Sequence, residues 1–304
     1  MLAQKGGGVT MKKTIILLTL ASKVTLAEVL AATTAKTVLV CDFYVEGAER
    51  WTAVPWGWEI VVDGRKVINI DHHAPAARFE RWISSGNLAM LYVAENGIAG
   101  EGVEVVINHT DCDSVISSGI VAGLIDPEEQ FGEAVIAADH SGEENPIADL
   151  LQALDGRRDL ELSHRNLALL LSGEPLEVEV AKALENRRAE RSDLAAKVAA
   201  GAFQWVGAVA YGEFTGRVAG EFLPALLPGA AVILAASPMR DGRVETKFRL
   251  GKAARAGATL HQLAAGTNIQ GRWNAGGDGR TLKGDPTLVS QPLAKVAKLI
   301  ASRL

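Results

Sequence analysis

Between residues 37 and 140 the chain repeats one pattern: a short run of consecutive apolar, mostly β-branched residues that stops at an acidic residue or a histidine. Val38-Leu39-Val40-Cys41-Asp42, Val67-Ile68-Asn69-Ile70-Asp71, the run 103–109 ending at His109 and the run 134–139 ending at Asp139 are its four instances. An apolar run without polar alternation is buried on both faces, the condition of a parallel strand covered by helices on either side. The segments 76–95 and 114–124 have the spacing and length of helices, so the order reads βαβα and predicts an open α/β sheet, mostly parallel, with flanking helices. Residues 58–62 and 66–70 flank Asp63-Gly64, a pair that tolerates the positive φ of a tight turn, and predict an added hairpin. Ligands bind such a sheet beyond the carboxyl ends of its strands, and this chain collects its polar residues there.

The second half changes character. Residues 177–200 read as a long charged helix with a solvated face, a connector that puts a domain boundary near residue 200. Strands are expected at 206–211, 231–236 and 244–250, with Asp241-Gly242 as a hairpin turn, followed by a helix over 259–265. A glycine-rich loop, Asn274-Ala-Gly276-Gly277-Asp278-Gly279-Arg280, and a helix from Pro292 complete a smaller α/β domain. The expected division is residues 1–36 as a leader or N-terminal extension, 37–200 as the first domain and 201–304 as the second.

Charge narrows the range of partners. Thirty-one Lys and Arg against 36 Asp and Glu leave the chain at -5, so bulk electrostatics will not hold long nucleic acid, although a local site can still take a small anion. Trp51, Trp56 and Trp58 fit a hydrophobic lid or sheet face at least as well as a base-stacking platform. Cys41 and Cys112, the only cysteines, each adjoin an aspartate in a strand-like context and read as reduced thiols of a cytoplasmic protein. Met11-Lys-Lys and the apolar residues after it have the shape of a secretory signal, with Ala27 or Ala32 as cleavage points. An ordinary strand or helix is the competing reading, and the run falls short of the roughly 20 residues that span a bilayer.

The histidines carry the chemistry. Four of six fall in three clusters at predicted strand ends: Asp71-His72-His73, His109-Thr-Asp111-Cys-Asp113-Ser114 and Asp139-His140-Ser141. His164 and His261 stand apart and read as structural residues. In extended backbone, positions i, i+2 and i+4 share a face, so His109, Asp111 and Asp113 would point together. Imidazole with carboxylate suits Mn²⁺, Mg²⁺, Zn²⁺ or Fe, and this many carboxylates call for two cations. Two ions about 3.5–4 Å apart activate a water and clamp the oxygens of a phosphoryl group, so phosphoester hydrolysis is the natural use. The alternative is that the aspartates cap helices; Ser114 reads as a cap in addition.

Val-Ile-Asn-Ile-Asp71-His72-His73 resembles the eponymous motif of the DHH phosphoesterase superfamily. Asp111-Cys-Asp113-Ser114-Val-Ile-Ser-Ser resembles that family's D-x-D motif at the start of a helix. Lys247-Phe248-Arg249-Leu250 with the later Asn274 to Gly279 stretch is similar to its substrate-binding domain, which pairs a strand arginine with a GGGH-type loop. The matches touch most of the chain beyond residue 37. Two departures stand out: DHH precedes D-x-D here, an order that a circular permutation restores, and Asp278 takes the place of the loop histidine.

The resemblance implies one Mn²⁺ or Mg²⁺ on His109, Asp111 and Asp42 and a second on Asp113, Asp42, His72 and Asp139, with Asp42 bridging. His73 would face the phosphoryl group or leaving oxygen, and Asp71 would orient a histidine. Arg249 would pair with a substrate phosphate beside the Gly276, Gly277, Asp278, Gly279 and Arg280 loop, and His140 would act in the outer sphere or as a structural hydrogen-bonding group. The expected protein is a two-metal hydrolase of small phosphate esters (phosphodiesters, nucleotides or short oligonucleotides) working between two domains without a membrane. An inorganic pyrophosphatase-like hydrolase and a non-catalytic nucleotide- or metal-binding regulatory protein are the alternatives, and homodimerisation stays open.

Overall fold

The computed structural model describes residues 15–19, 24–73, 83–285 and 287–304. Its first sheet comprises β1 (Ile15–Leu17), β2 (Thr37–Cys41), β3 (Thr52–Val54), β4 (Gly57–Val62), β5 (Arg65–Ile70) and β6 (Val103–Ile107), in the order β1-β6-β2-β5-β4-β3. The strands β1, β6, β2 and β5 run parallel, and β4 and β3 add an antiparallel edge. The expected hairpin is present: Val62 pairs with Arg65, and Asp63 and Gly64 both take positive φ. Residues 15–17, within the stretch that reads as a leader, supply the edge strand β1; residues 1–14 and 20–23 lie outside the described residues.

Continuous apolar runs are required because each parallel strand serves two cores. Leu39, Cys41, Ile68, Ile70, Val105 and Ile107 face one side, with residues of α2 (Ser85–Asn96), α3 (Cys112–Ala122), α4 (Glu129–Ile136) and α5 (Pro146–Leu154). The alternate residues Val38, Val40, Val67 and Val106 face the other, against Val29 of the helix Leu26–Ala32 (α1) and the segment around Phe43, Val45 and Ala48. Burying an aliphatic side chain of this size is worth roughly 1.5–3 kcal/mol, so neither face of β2 tolerates a polar residue before the strand ends.

Helices α6 (Leu160–Ser172) and α7 (Val178–Ala199) lead to the second sheet, β7 (Gln204–Val206), β8 (Val209–Glu213), β9 (Val232–Pro238), β10 (Val244–Leu250), β11 (Gln270–Arg272) and β12 (Ala275–Gly277), ordered β11-β12-β10-β9-β8-β7. It too has a core on each side. Leu234, Phe248 and Leu250 pack with Leu293, Val296 and Ile300 of the closing helix Leu293–Ala301, whereas Ile233 and Ala235 pack with Phe222, Leu223 and Leu227.

Four expectations are corrected. Residues 134–139 are not a strand but the end of α4 and a π-helical turn, Ala137–Ser141; Phe131, Ala134, Val135 and Ala138 recur at helical spacing and enter the first core together. The 206–211 run is a hairpin, β7 and β8, broken at Gly207 (φ +57°). The glycine-rich stretch is no open loop: Ala275–Gly277 is a strand and Gly279–Gly284 a short helix. Helix α3 begins at Cys112, so His109, Asp111 and Asp113 share no extended face. Of the helix expected over 76–95, residues 76–82 lie outside the described residues and α2 starts at Ser85.

Candidate active site

Strand β2 lies between β5 and β6, so the chain leaves it toward one neighbour and returns on the other, which opens a crevice at the carboxyl ends. Asp42 follows β2 with φ +59°, a left-handed position that Asp tolerates better than most residues. Its N–H stays in the ladder, donating to Ile70 O at 3.0 Å. Carboxylate Oδ2 accepts from Ser114 Oγ at 2.7 Å and lies 3.2 Å from His109 Nε2. Oδ1 is buried with no hydrogen-bond partner, 3.8 Å from His72 Nε2 and 3.7 Å from His73 Nδ1.

Beyond β6, His109 Nδ1 lies 2.5 Å from Asn108 Oδ1. A carboxamide oxygen only accepts, so Nδ1 carries the hydrogen and Nε2 is aimed between Asp42 Oδ2 and Asp111 Oδ2, at 3.2 and 3.3 Å. Burial works against the charged imidazolium, but Asp111 and Asp42 outweigh it and push His109 up to about 12. Asp111 is the N-cap of α3, its Oδ1 accepting from Ser114 N–H at 3.0 Å, which corrects the assignment of the cap to Ser114. Capping and ligation are compatible here because they use different oxygens.

Asp113 is committed elsewhere. Its Oδ2 accepts from Ser84 Oγ (2.6 Å) and Ser85 N–H (2.8 Å), and its Oδ1 from Gly86 N–H (2.6 Å), so a buried carboxylate sits on the N-terminus of α2. A Cβ on Gly86 would lie 2.8 Å from Val135 Cγ1 and 3.2 Å from Asp113 Oδ1; glycine permits the approach. Burial, Asp42 and Asp139 together push the Asp113 carboxyl up. His72 Nε2 is 3.6 Å from Asp113 Oδ2 and 3.1 Å from Asp139 Oδ2. Asp139, on the π-helical turn, is held well below the usual carboxylate range: burial opposes its charge, but Arg272 and His72 prevail.

Ligand atoms therefore gather in three overlapping groups, each within 4.8 Å: Asp42, His72 and His73; Asp42, His109 and Asp111; His72, Asp113 and Asp139. The unpartnered Asp42 Oδ1, buried at the junction of these groups, fits a divalent cation, as does the nitrogen and oxygen donor set. Asp71 lies behind them, its Oδ1 2.7 Å from His73 Nδ1, and so orients that ring. Asp71, Asp42 and the hydrogen bond raise the His73 pKa against the effect of burial. His140 stays neutral, driven down by burial and by His72, with Nε2 3.0 Å from Ile83 O and Nδ1 3.0 Å from Asn274 Nδ2.

The second sheet closes the crevice from above. Arg272, at the end of β11, reaches in to donate from Nη1 to Asp139 Oδ2 at 2.7 Å, with His73 Nε2 at 3.0 Å and His72 Nε2 at 3.4 Å. Beside it opens a cleft of about 530 Å³ lined by Asp111, Asp139, Arg187, Arg217, Arg249 and Arg272 among others. Arg249 faces the cleft, whereas the stretch from Gly276 to Arg280 does not line it. Asp278 is buried with its carboxylate spent on Thr246 N–H (2.7 Å) and Ser290 Oγ (2.6 Å), and Arg280 is exposed at the start of a short helix. Gly276 and Gly277 pair with β10 and β11; a Cβ on Gly276 would lie 2.3 Å from Gln270 O, so close strand packing accounts for that glycine.

Sequence reasoning missed Arg272, Asn108 and Ser84. Asn108 had a readable signal, an amide beside a strand-end histidine. Arg272 and Ser84 had none, since their partners stand far away in the chain. Trp56, in the turn between β3 and β4, is buried edge-on against Tyr92 in the first core, with ring centroids 5.4 Å apart. Among the described residues, no helix is long and apolar enough to cross a membrane.

No family model and no curated protein matches the chain. Among solved structures it is similar to a pGpG-specific phosphodiesterase from Vibrio cholerae, at 12% identity and a TM-score of 0.42, covering 69% of this chain and 88% of that one.

Proposed function

We propose that this chain is a metal-dependent hydrolase of small phosphate esters, with a nucleotide or short oligonucleotide held between the two sheets. The observation that carries the reading is the convergence of Asp42, His72 and His109, beyond the ends of adjacent strands, with Asp111 and Asp113 at the start of α3 and Asp139 on the π-helical turn, beside a cleft lined by arginines. A divalent ion bound to such a set supplies a water acidic enough to attack phosphorus near neutral pH and screens the non-bridging oxygens. Mn²⁺ and Mg²⁺ both suit the donors.

The side chains divide the work. Asp42, His109 and Asp111 hold an ion, with Asn108 fixing the histidine tautomer from behind. His72 and Asp139, with Asp113 as a third donor, form the second group that Arg272 shares. Arg249 and Arg217 on the cleft wall attract the phosphate through charge-assisted hydrogen bonds. His73 gives its Nδ1 to Asp71 and presents Nε2 to Arg272 Nη1 at 3.0 Å, so Nε2 takes up or returns a proton beside the leaving oxygen only where the substrate draws that guanidinium away. A cleft of about 530 Å³ is ample for a nucleotide and far larger than pyrophosphate needs, which favours nucleotide esters over the pyrophosphatase alternative.

The test is product analysis on a panel of nucleoside bisphosphates, linear dinucleotides, short oligonucleotides and pyrophosphate, with Mn²⁺ and with chelator. Metal-dependent cleavage of a nucleotide ester is expected. Metal binding with no cleavage of any member would replace the enzyme by a binding protein, and release from pyrophosphate alone would overturn the substrate class.

A further inference from the structure

The two candidate ion positions are not equivalent. At Asp42, His109 and Asp111 the tautomer is fixed by Asn108, Nε2 points at both carboxylates, and among the described residues no lysine or arginine makes an ion pair there. At His72, Asp113 and Asp139 each residue is already engaged. Asp113 accepts three hydrogen bonds from the start of α2. Asp139 Oδ2 takes Arg272 Nη1 at 2.7 Å, and the Asp139 carbonyl takes Nη2 at 3.3 Å. His72 Nε2 lies 3.1 Å from Asp139 Oδ2 and 3.4 Å from Arg272 Nη1. An imidazole nitrogen has one in-plane site, which cannot serve a guanidinium and a metal at once, and it is the guanidinium that sets this position apart from the one at His109.

Arg272 is also held in position. It is the first of three consecutive residues of the β11–β12 hairpin that meet the first sheet's site. The Trp273 ring stacks at a tilt on His140, with centroids 5.9 Å apart, and Asn274 Nδ2 meets His140 Nδ1 at 3.0 Å. The guanidinium therefore arrives on a docked hairpin rather than on a free loop. Four carboxylates, Asp42, Asp111, Asp113 and Asp139, gather at the crevice, where the Arg272 guanidinium offsets their mutual repulsion as a second ion would.

We infer that Arg272 is a built-in cation that occupies the His72–Asp113–Asp139 position in competition with a second metal ion, so that the chain holds one divalent ion tightly, at Asp42, His109 and Asp111. The inference rests on the metal-dependent reading above and departs from it in stoichiometry: a second ion enters only when the hairpin arginine withdraws.

Equilibrium dialysis of the full chain against Mn²⁺, with bound metal counted by mass spectrometry, tests it alongside the electron paramagnetic resonance of the bound ion. Wild type is expected to saturate at one ion per chain with the spectrum of an isolated Mn²⁺. A second ion should be at least roughly tenfold weaker, the scale on which groups around a metal site alter affinity. Arg272→Met, which keeps the length and removes the charge, is expected to take two ions and to show a spin-coupled pair. Wild type binding two ions with equal affinity, or a folded Arg272→Met still binding one, overturns the inference and leaves the hydrolase reading standing. Absence of Mn²⁺ binding in wild type overturns both. The wild-type stoichiometry decides the matter even where the variant does not fold.

Discussion

Loading the first ion should displace one proton, and His109 should be its source. In the metal-free protein Asp111 and Asp42 push this histidine up to about 12, so it is an imidazolium throughout the neutral range. A metal ligand must present a lone pair, so Nε2 has to give up its proton when an ion binds at Asp42, His109 and Asp111. The sign follows: protons compete with metal, and affinity rises with pH while pH stays below that raised value. One proton exchanged per ion gives tenfold in apparent affinity per pH unit. Between pH 6 and 8 the gain is about 100-fold, or about 2.7 kcal/mol at 1.36 kcal/mol per unit. Calorimetric titration of Mn²⁺ in buffers of different ionisation enthalpy measures the proton count directly. A slope near one is expected for wild type, and a much weaker, nearly pH-independent binding for His109→Gln. Wild-type affinity that stays flat from pH 6 to 8, with no proton release, would show that His109 does not give up a proton to the ion.

Three further outcomes are expected. Asn108→Ala removes the acceptor at His109 Nδ1 and should weaken Mn²⁺ binding about 10- to 100-fold; calorimetry reads this, and unchanged affinity would separate Asn108 from the site. Arg249→Ala should raise the Michaelis constant for the cleaved nucleotide roughly 10- to 150-fold, the equivalent of about 1.5–3 kcal/mol for a lost charge-assisted contact, with metal content unaltered; an unchanged constant would remove Arg249 from substrate binding. Asp149→Ala removes the carboxylate that Arg187 and Arg191 share, its Oδ1 at 3.2 and 3.1 Å, and leaves Arg187 with Glu221 and Arg191 with the carbonyls of Gly142 and Glu143, both over the Phe222 ring. Breaking this nearly buried cluster between α5, α7 and the turn at Phe222 should cost about 1.5–3 kcal/mol in denaturant unfolding, the scale of a hydrogen bond to a charged group, and a loss under about 1 kcal/mol would mean that solvent reaches the arginines.

The runs at 38–42 and 67–71 were legible because a strand buried on both faces is apolar until it ends, save Asn69, whose side chain is paired with Val45 N–H and Phe43 O, and the acidic residue at its end marks where the backbone reaches the crevice. For the same reason the Asp71-His72-His73 and His109 to Asp113 clusters are legible as chemistry from residue order alone. Residues 134–139 could not be read locally, since a six-residue apolar run satisfies a strand and a buried helix turn alike, and only packing of Phe131, Ala134 and Val135 against α2 and α3 selects the helix. Nor could the sequence tell which carboxylate keeps a free oxygen. Asp113 spends its own on Ser84, Ser85 and Gly86, while Asp42 keeps one buried and unpaired. The longest-range decision is Arg272, 133 positions from Asp139 and 199 from His73. Local periodicity reports what each element buries, but a charge delivered by one sheet into the strand ends of another is decided by how the two sheets dock, because the desolvated carboxylates that make the cation favourable exist only once they have been brought together.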